Sequence, residues 1–430
     1  MTVSAVVRLW VRAIGLVLVL ALACLLVMRI VGDRRLAAAE REFAVKAGAL
    51  PPNLYASARV PEEENAAILL RAGAEAIVLY AKEVSTAGEM TTVNQAVWSE
   101  ERNHLIRQLI ARNRPAFELL RRTAGMTRSS FGLTDPAHLH DDLKTNLPLL
   151  KLLWAQRLLW LDAKVALREG DMVRCADDAR VMSVLAVALE REAPLISELV
   201  GLAAEKILLQ VMSDAVARPD LDVATLSVLA SAIPEVDLRA AWRRSRAFEF
   251  RLPAVSGTSI RNPEARRNLA KTALYLAAPG YFDAPYIAWM ARLMQAPDVP
   301  YGNGLAALTE QQPRGSISPL GPLFHLTQAA GRSQVILSER RLARLALALR
   351  RQALATGAYP DSLDAFAEAR VADPFTAERI VYKHRPDGSA QLSVPGGAKL
   401  WEGMQGKVGF PGPFTWELPV PAPRAAGTVP

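Results

Sequence analysis

"ALREGDMVRCADDAR", residues 166–180, reads as two helical phrases joined by Gly170-Asp171. Before the turn, Leu149, Leu152, Leu153, Leu159, Val165 and Leu167 recur at helical spacing; after it, helix is expected from Ala176 to Glu192. A glycine ends one helix and an aspartate can cap the next. The stretch is therefore an antiparallel helix pair around a tight turn. Working outward, Pro194 opens a further helix that runs to Arg218-Pro219. Upstream, Pro61 with Glu62, Glu63 and Glu64 opens a helix to about Ala87, and another covers about Val93 to Ala124. No second copy of the 166–180 unit recurs at a fixed period. The expectation is a mainly α fold, with helical hairpins stacked side by side over residues 33–320.

The chain of 430 residues is 51% hydrophobic and 22% charged, which makes it globular and not disordered. Its net charge of +8 suits an anionic surface, either lipid headgroups or nucleic acid. Two cysteines, Cys24 in an apolar run and Cys175 on a helix, exclude a disulfide framework, and no Cys/His zinc spacing occurs.

Ala13 to Met28 is a run of sixteen residues without a charge, preceded by Arg8 and Arg12 and followed by Arg29, Arg34 and Arg35. As helix it spans about 24 Å, short of a hydrocarbon core of about 30 Å. Flanking arginines that snorkel, together with Val6, Val7, Leu9, Trp10 and Ile30, extend the apolar surface. Residues 1–32 are read as a single transmembrane signal-anchor, with helix continuing to about Lys46. A cleaved signal peptide and a lipoprotein box in "LALAC" (20–24) are the rivals, and both are disfavoured by the apolar sequence that follows. A short basic head with the bulk of the chain translocated is the simpler orientation.

The C-terminal part opens on a long helix from about Leu323 to Thr356, then "ALATGAYPDSLDAF" (353–366). Gly357 lets the helix end, Pro360 breaks it, and Asp361 or Ser362 caps a short helix whose Leu363 and Phe366 point to the core. Asp373-Pro374-Phe375 turns the chain into two alternating strands, "RIVYKH" and "AQLSV", joined by Pro386-Asp387-Gly388. Residues 321–395 thus form a small α+β module with a β-hairpin, and 396–430 a Pro/Gly-rich tail. Between these regions, 269–294 is the most apolar stretch outside the anchor. Its Lys271, Pro279, Gly280, Asp283 and Pro285 make it a buried helix pair or a membrane-surface segment, not a span.

Gly357, Tyr359, Pro360, Ser362, Leu363, Asp373, Pro374, Phe375, Tyr382, Asp387 and Gly388 resemble the C-terminal halves of type II secretion pseudopilins. The match is nearer to a set of uncharacterised bacterial membrane-anchored helical proteins that attach such an ending to a long helical domain. "EAPLISELV" (192–200) and "DLRAAWRRSRAFE" (237–249) are similar to segments of that set. The chain departs from a pseudopilin in lacking a prepilin cleavage site, and in placing some 300 residues between its first helix and the module. The resemblance implies a fold for the module and a bacterial envelope location, but no role in pilus assembly.

Few constellations carry chemistry. "DPAHLHDDL" (135–143) gathers ligand types, and His138, His140 and Asp142 are the metal candidates, with Asp135, Asp141 and His104 nearby. A metal-dependent hydrolase centred on 135–142 is the alternative function. Glu198 and Glu205 share a helix face and with Glu249 form either an acid–base cluster or, the preferred reading, salt bridges to Arg243 or Arg246. No nucleophile elbow, phosphate loop or dinucleotide fingerprint occurs, His325 and His384 stand alone, and no cofactor is expected. Arg239, Arg243, Arg244 and Arg246, and separately Arg340, Arg341, Arg344, Arg350 and Arg351, form stripes one turn apart. Arg340, Arg341, Arg344, Arg239 and Arg243 are the candidates for contact with anionic lipid or an envelope protein; a solvated face or internal salt bridges is the plainer account of the same stripes. The functional expectation is interaction or scaffolding at the bacterial inner membrane, single-pass and mostly periplasmic. Nucleic acid is disfavoured for an exported domain.

Overall fold

Helix α1 (Val3–Ala47) runs unbroken from the apolar segment into the body of the protein. The computed structural model describes residues 3–47, 60–80, 99–133, 145–256, 277–294, 326–370, 372–400 and 414–421. In chain order the helices that follow are α2 (Ala66–Glu75), α3 (Glu100–Arg112), α4 (Arg114–Arg121), α5 (Leu149–Glu169), α6 (Met172–Glu190) and α7 (Leu195–Val216). Then come α8 (Val223–Ser231), α9 (Leu238–Ser256), α10 (Pro279–Leu293), α11 (Leu326–Thr356) and α12 (Ala367–Arg370). Strands β1 (Val381–His384), β2 (Ala390–Ser393) and β3 (Thr415–Leu418) complete the order. The chain is mainly helical, as expected.

The 166–180 stretch folds as read. Gly170 sits at φ 75°, a left-handed backbone that costs an L side chain about 1–2 kcal/mol, and closes α5. The Asp171 carboxylate accepts from the Arg174 N–H at 3.0 Å and caps α6, so that helix starts at Met172, earlier than expected. Helices α5, α6 and α7 pack against one another, and α4, α8 and α11 cover them. Leu159, Leu185, Leu208 and Leu209 are fully enclosed there. Loss of any one of these side chains to alanine carries a cost of about 2–5 kcal/mol.

The C-terminal strands form an antiparallel sheet in the order β1-β2-β3, with Leu392 opposite Trp416. Its inner face, Ala390, Leu392, Trp416 and Leu418, lies on α7 and α11. Two expectations change here. The segment 396–430 supplies β3, because Trp416 and Leu418 need the same apolar surface that buries β2. The boundary at 320 does not separate two cores, since one contiguous cluster runs from Leu70 through α5–α7 to α11 and the sheet.

The short helix after Gly357 begins at Ala367, later than expected, with Leu363 and Phe366 packed against the core. The Tyr359 hydroxyl donates to Pro419 O at 2.9 Å and the Tyr382 hydroxyl to Pro360 O at 2.7 Å. The buried Asp373 carboxylate accepts from Phe375 N and Thr376 N, both at 2.9 Å, and from the Ser338 hydroxyl at 2.5 Å. Asp373-Pro374-Phe375 is therefore a turn locked to α11.

Among the described residues, one helix is long and apolar enough to cross a membrane, and it is α1. Leu16, Val17, Val19, Leu20, Leu22, Leu26 and Val27 stand exposed around it. Beyond that band, Gly32, Ala39 and Phe43 form a buried stripe facing α10. A Cβ built on Gly32 would lie 2.3 Å from Tyr281 N, and one on Gly280 would lie 2.9 Å from Gly32 C. The two backbones thus touch, which only glycines allow. The Trp242 indole of α9 donates to Leu293 O at 2.9 Å and closes this second cluster, which holds Tyr286, Trp289 and Met290. Of the apolar 269–294 stretch, residues 277–294 pack as protein; the remainder lies outside the described residues.

Gly32→Ala is expected to push α1 away from α10, since a methyl group has no room against the Tyr281 backbone. Trypsin cleavage after Arg34, Arg35 and Arg41 should accelerate several-fold. An unchanged cleavage rate would show that the seam tolerates the methyl.

Candidate functional site

Charge buried between the central helices is the most unusual chemistry in the molecule. Glu190 ends α6 after the uncharged run 181–189, Glu198 and Glu205 lie on α7, and Arg340 and Glu339 come from α11. All five side chains are enclosed. The Arg340 guanidinium takes Glu205 with Nε and, at 2.6 Å, with Nη2. The same Nη2 reaches Glu190 at 3.2 Å, and Nη1 donates to Val236 O at 2.7 Å. Beside this pair, Lys206 binds Glu339. Glu198 accepts from the Ser245 hydroxyl and lies 3.5 Å from Arg246, whose guanidinium also sits 4.0 Å from the centre of the Trp242 ring.

Burial pushes the Glu190 carboxyl well above the usual range, and the nearby Glu205 charge adds to it, while Arg340 opposes both. Burial also raises Glu339 and lowers Lys206, each partly offset by the other. For Arg340, burial works against the charge but the two carboxylates outweigh it, so its pKa is raised. Arg340 thus serves two buried carboxyl groups at once, and of these Glu190 gives up its proton less readily than an ordinary glutamate.

A second cluster of the same design grips the other end of α6. Arg121 donates to Asp178 from Nε at 3.1 Å and Nη2 at 2.9 Å, and also holds Asp162. Burial, then the Asp162 charge, raises Asp178. Cys175 stands beside it, its thiol pushed up to about 12 mainly by burial, so it stays protonated and unreactive.

The expected ion-pair role of Glu198 with Arg246 is present, whereas Glu205 takes Arg340 rather than Arg243 or Arg246. The Glu249 side chain lies outside the described residues. The stripe on α11 is corrected: Arg340 and Arg350 are buried, so neither meets a lipid surface or a partner. Nearly every face of α11 is packed, and its outward line is Arg341, Arg344, Ala348 and Arg351. Arg350 instead donates to Arg218 O at 2.8 Å and to the Tyr359 hydroxyl at 3.1 Å. Arg341 is half-buried and donates to Ala372 O at 2.5 Å; burial lowers its pKa, Asp373 opposes that, Arg239 and Arg344 add to it, and Glu368 opposes it weakly. Arg239 and Arg344 are exposed and Arg243 is half-buried. The two stripes read separately from the sequence thus meet in one patch.

His138, His140 and Asp142, with the rest of 135–142, lie outside the described residues. Among the described residues no group of three His, Cys, Asp or Glu side chains could hold a metal. His104 bonds Gln108 at 2.9 Å, and His384 approaches Asp361 at 3.6 Å. A groove of about 600 Å³ lies between 124–129, α6 and 231–236. Its Arg128, Arg180 and Arg191 are held by Glu64, Asp177 and Thr127 O. No family model, curated protein or solved structure matches the chain.

Sequence reasoning overlooked Glu190 and the Arg340 bridge. The available signal was a lone carboxylate closing nine uncharged residues. Glu205→Gln, which leaves Arg340 short of a charge, is expected to lose about 3–5 kcal/mol. Glu190 binds its proton more tightly folded than unfolded. Its contribution is full below about pH 4.3, the unfolded value, and is lost as pH rises through the folded pKa. Glu190→Gln should therefore gain on the unmodified protein as pH rises through the folded pKa. Denaturant melts across pH will check this; an equal loss for both variants at every pH would exclude the raised Glu190 pKa.

Proposed function

We propose that the protein is a single-pass interaction protein of the bacterial inner membrane, its helical body on the periplasmic side. The observation that carries this reading is the continuity of α1 from a bare apolar band into the glycine seam with α10. An anchor joined this way holds the body rigidly to the membrane-crossing helix, which suits a scaffold. The buried carboxylates support the non-enzymatic side of the reading, because Glu190 and Glu205 are fully enclosed and bonded to Arg340. The likeness of residues 357–388 to the pseudopilin-type module is in keeping with an envelope location.

The partner surface is the patch of Arg239, Arg341 and Arg344, and the proposed partner is a protein with an acidic face. Lipid fits less well. Trp242, one turn after Arg239, bonds Leu293 at the end of α10 opposite Gly280, about 20 Å along that helix from the seam. Surface charges at that distance from lipid are screened at physiological salt, where the Debye length is about 8 Å.

Fragment 31–430, which keeps Gly32, should appear in the supernatant after a high-salt wash, whereas the full chain stays with membranes. In membranes, amine-reactive or acid-reactive crosslinking should yield a discrete adduct that Arg239→Glu/Arg341→Glu/Arg344→Glu abolishes without releasing the chain. Salt-sensitive capture of the fragment by phosphatidylglycerol vesicles, lost in the triple variant, would replace the protein partner with lipid.

A further inference from the structure

The aromatic turn at the start of α10 joins the glycine seam through its backbone and leaves the Tyr281 ring exposed. Tyr281 stands 37% exposed, although its backbone is pressed against Gly32. Its ring meets Phe282 edge-on at 5.5 Å, and the Arg35 guanidinium lies 5.9 Å from its centre. Around it, Arg29 and Asp33 stand more than half exposed, and Arg34 is also exposed. We propose that this turn, Gly280 to Phe282, lies in the headgroup layer of the bilayer as a second membrane contact, with Tyr281 and Arg35 facing phospholipid headgroups.

The depth follows from the anchor, so the inference rests on the membrane reading above. The uncharged run ends at Met28, and Gly32 is four residues further along one unbroken helix. At 1.5 Å per residue that is about 6 Å. The polar layer on each side of the hydrocarbon core is about 5–7 Å thick. A tilt of α1 brings Gly32 closer to the hydrocarbon, never farther. Tyr281 touches Gly32 and shares its height. Tyrosine and arginine are the side chains that settle at this level, with an apolar body inward and a polar tip in water. The side chains of α1 lean toward its N-terminus, so Arg35 reaches back toward the bilayer over the Tyr281 ring.

The turn does for attitude what the anchor does for attachment. One helix through a bilayer leaves rotation about its axis free. A second contact, set to one side of α1 and at headgroup depth, fixes which face of the body looks down. It also leaves the Arg239–Arg341–Arg344 patch facing the aqueous space.

The test uses full-length protein in vesicles of phosphatidylcholine and phosphatidylglycerol, with Cys175→Ser as background. A bimane label is placed on Cys24, or, with Cys24→Ser, on Tyr281→Cys, Asp33→Cys or Arg344→Cys. Quenching is read from lipids carrying a nitroxide at the headgroup or at mid-chain. The Cys24 label should be quenched by the mid-chain nitroxide. The label at 281 should be quenched by the headgroup nitroxide several-fold more than the label at 344. Asp33→Cys reads the same height with Tyr281 intact, so a misfolded Tyr281→Cys does not end the test. Deep Cys24 with labels at 281 and 33 as weakly quenched as 344 overturns this inference and leaves the anchor standing. Cys24 without mid-chain quenching overturns both.

Discussion

Arg340 is the residue on which the arrangement of the central helices depends. Its guanidinium binds Glu205 on α7 and Glu190 on α6, partners 135 and 150 positions away in sequence. All three are sealed from water, so the bridge forms only when α6, α7 and α11 are in place together. Apolar side chains of similar volume commonly hold helices as well as a buried ion pair or better. A seam of alanine and leucine also tolerates a slide of one turn, and a guanidinium set between two carboxyl groups does not. Asp178 repeats the device with Arg121 at the other end of α6.

Helix α11 carries this order into the C-terminal module. Ser338 fixes the Asp373 turn, Arg341 holds Ala372 O, and Arg350 joins Arg218 O to Tyr359. The sheet then lies over α7 and α11, with Trp416 enclosed and Phe375 stacked on Phe414 at 5.8 Å. The module is built from polar side chains that each end a segment, which explains why it reads as punctuation in the sequence.

Local features were legible where a single residue type dictates the backbone. Gly170 and Asp171 announced the α5–α6 turn, and Pro386-Asp387-Gly388 announced the hairpin. The Glu198–Arg246 pairing was within reach because Glu198 sits among apolar neighbours, where a charge needs a partner, and the arginine stripe 239–246 could supply one. Arg340 was misread because spacing of one turn cannot separate an outward line from an inward one on a helix packed on all sides. Its neighbours Arg341 and Arg344 lie on the line that emerges. The strand β3 was hidden by its Pro- and Gly-rich flanks, and only the surface left open by β2 gives Trp416 and Leu418 a place. The Glu205–Arg340 bridge spans too much chain for any local pattern to disclose it.

At the Gly32–Gly280 seam, main chain rests on main chain with no side-chain layer between. Side chains act as springs, because rotamers yield before backbones do. Without them the joint is stiff, so a turn of α1 about its axis carries α10 with it. From there it reaches α9 through the Trp242 indole on Leu293 O. Helix α1 and the body then turn as a shaft and its load, and a rotation of the helix by a few degrees sweeps the far side of the body through an arc that grows with its distance from the axis.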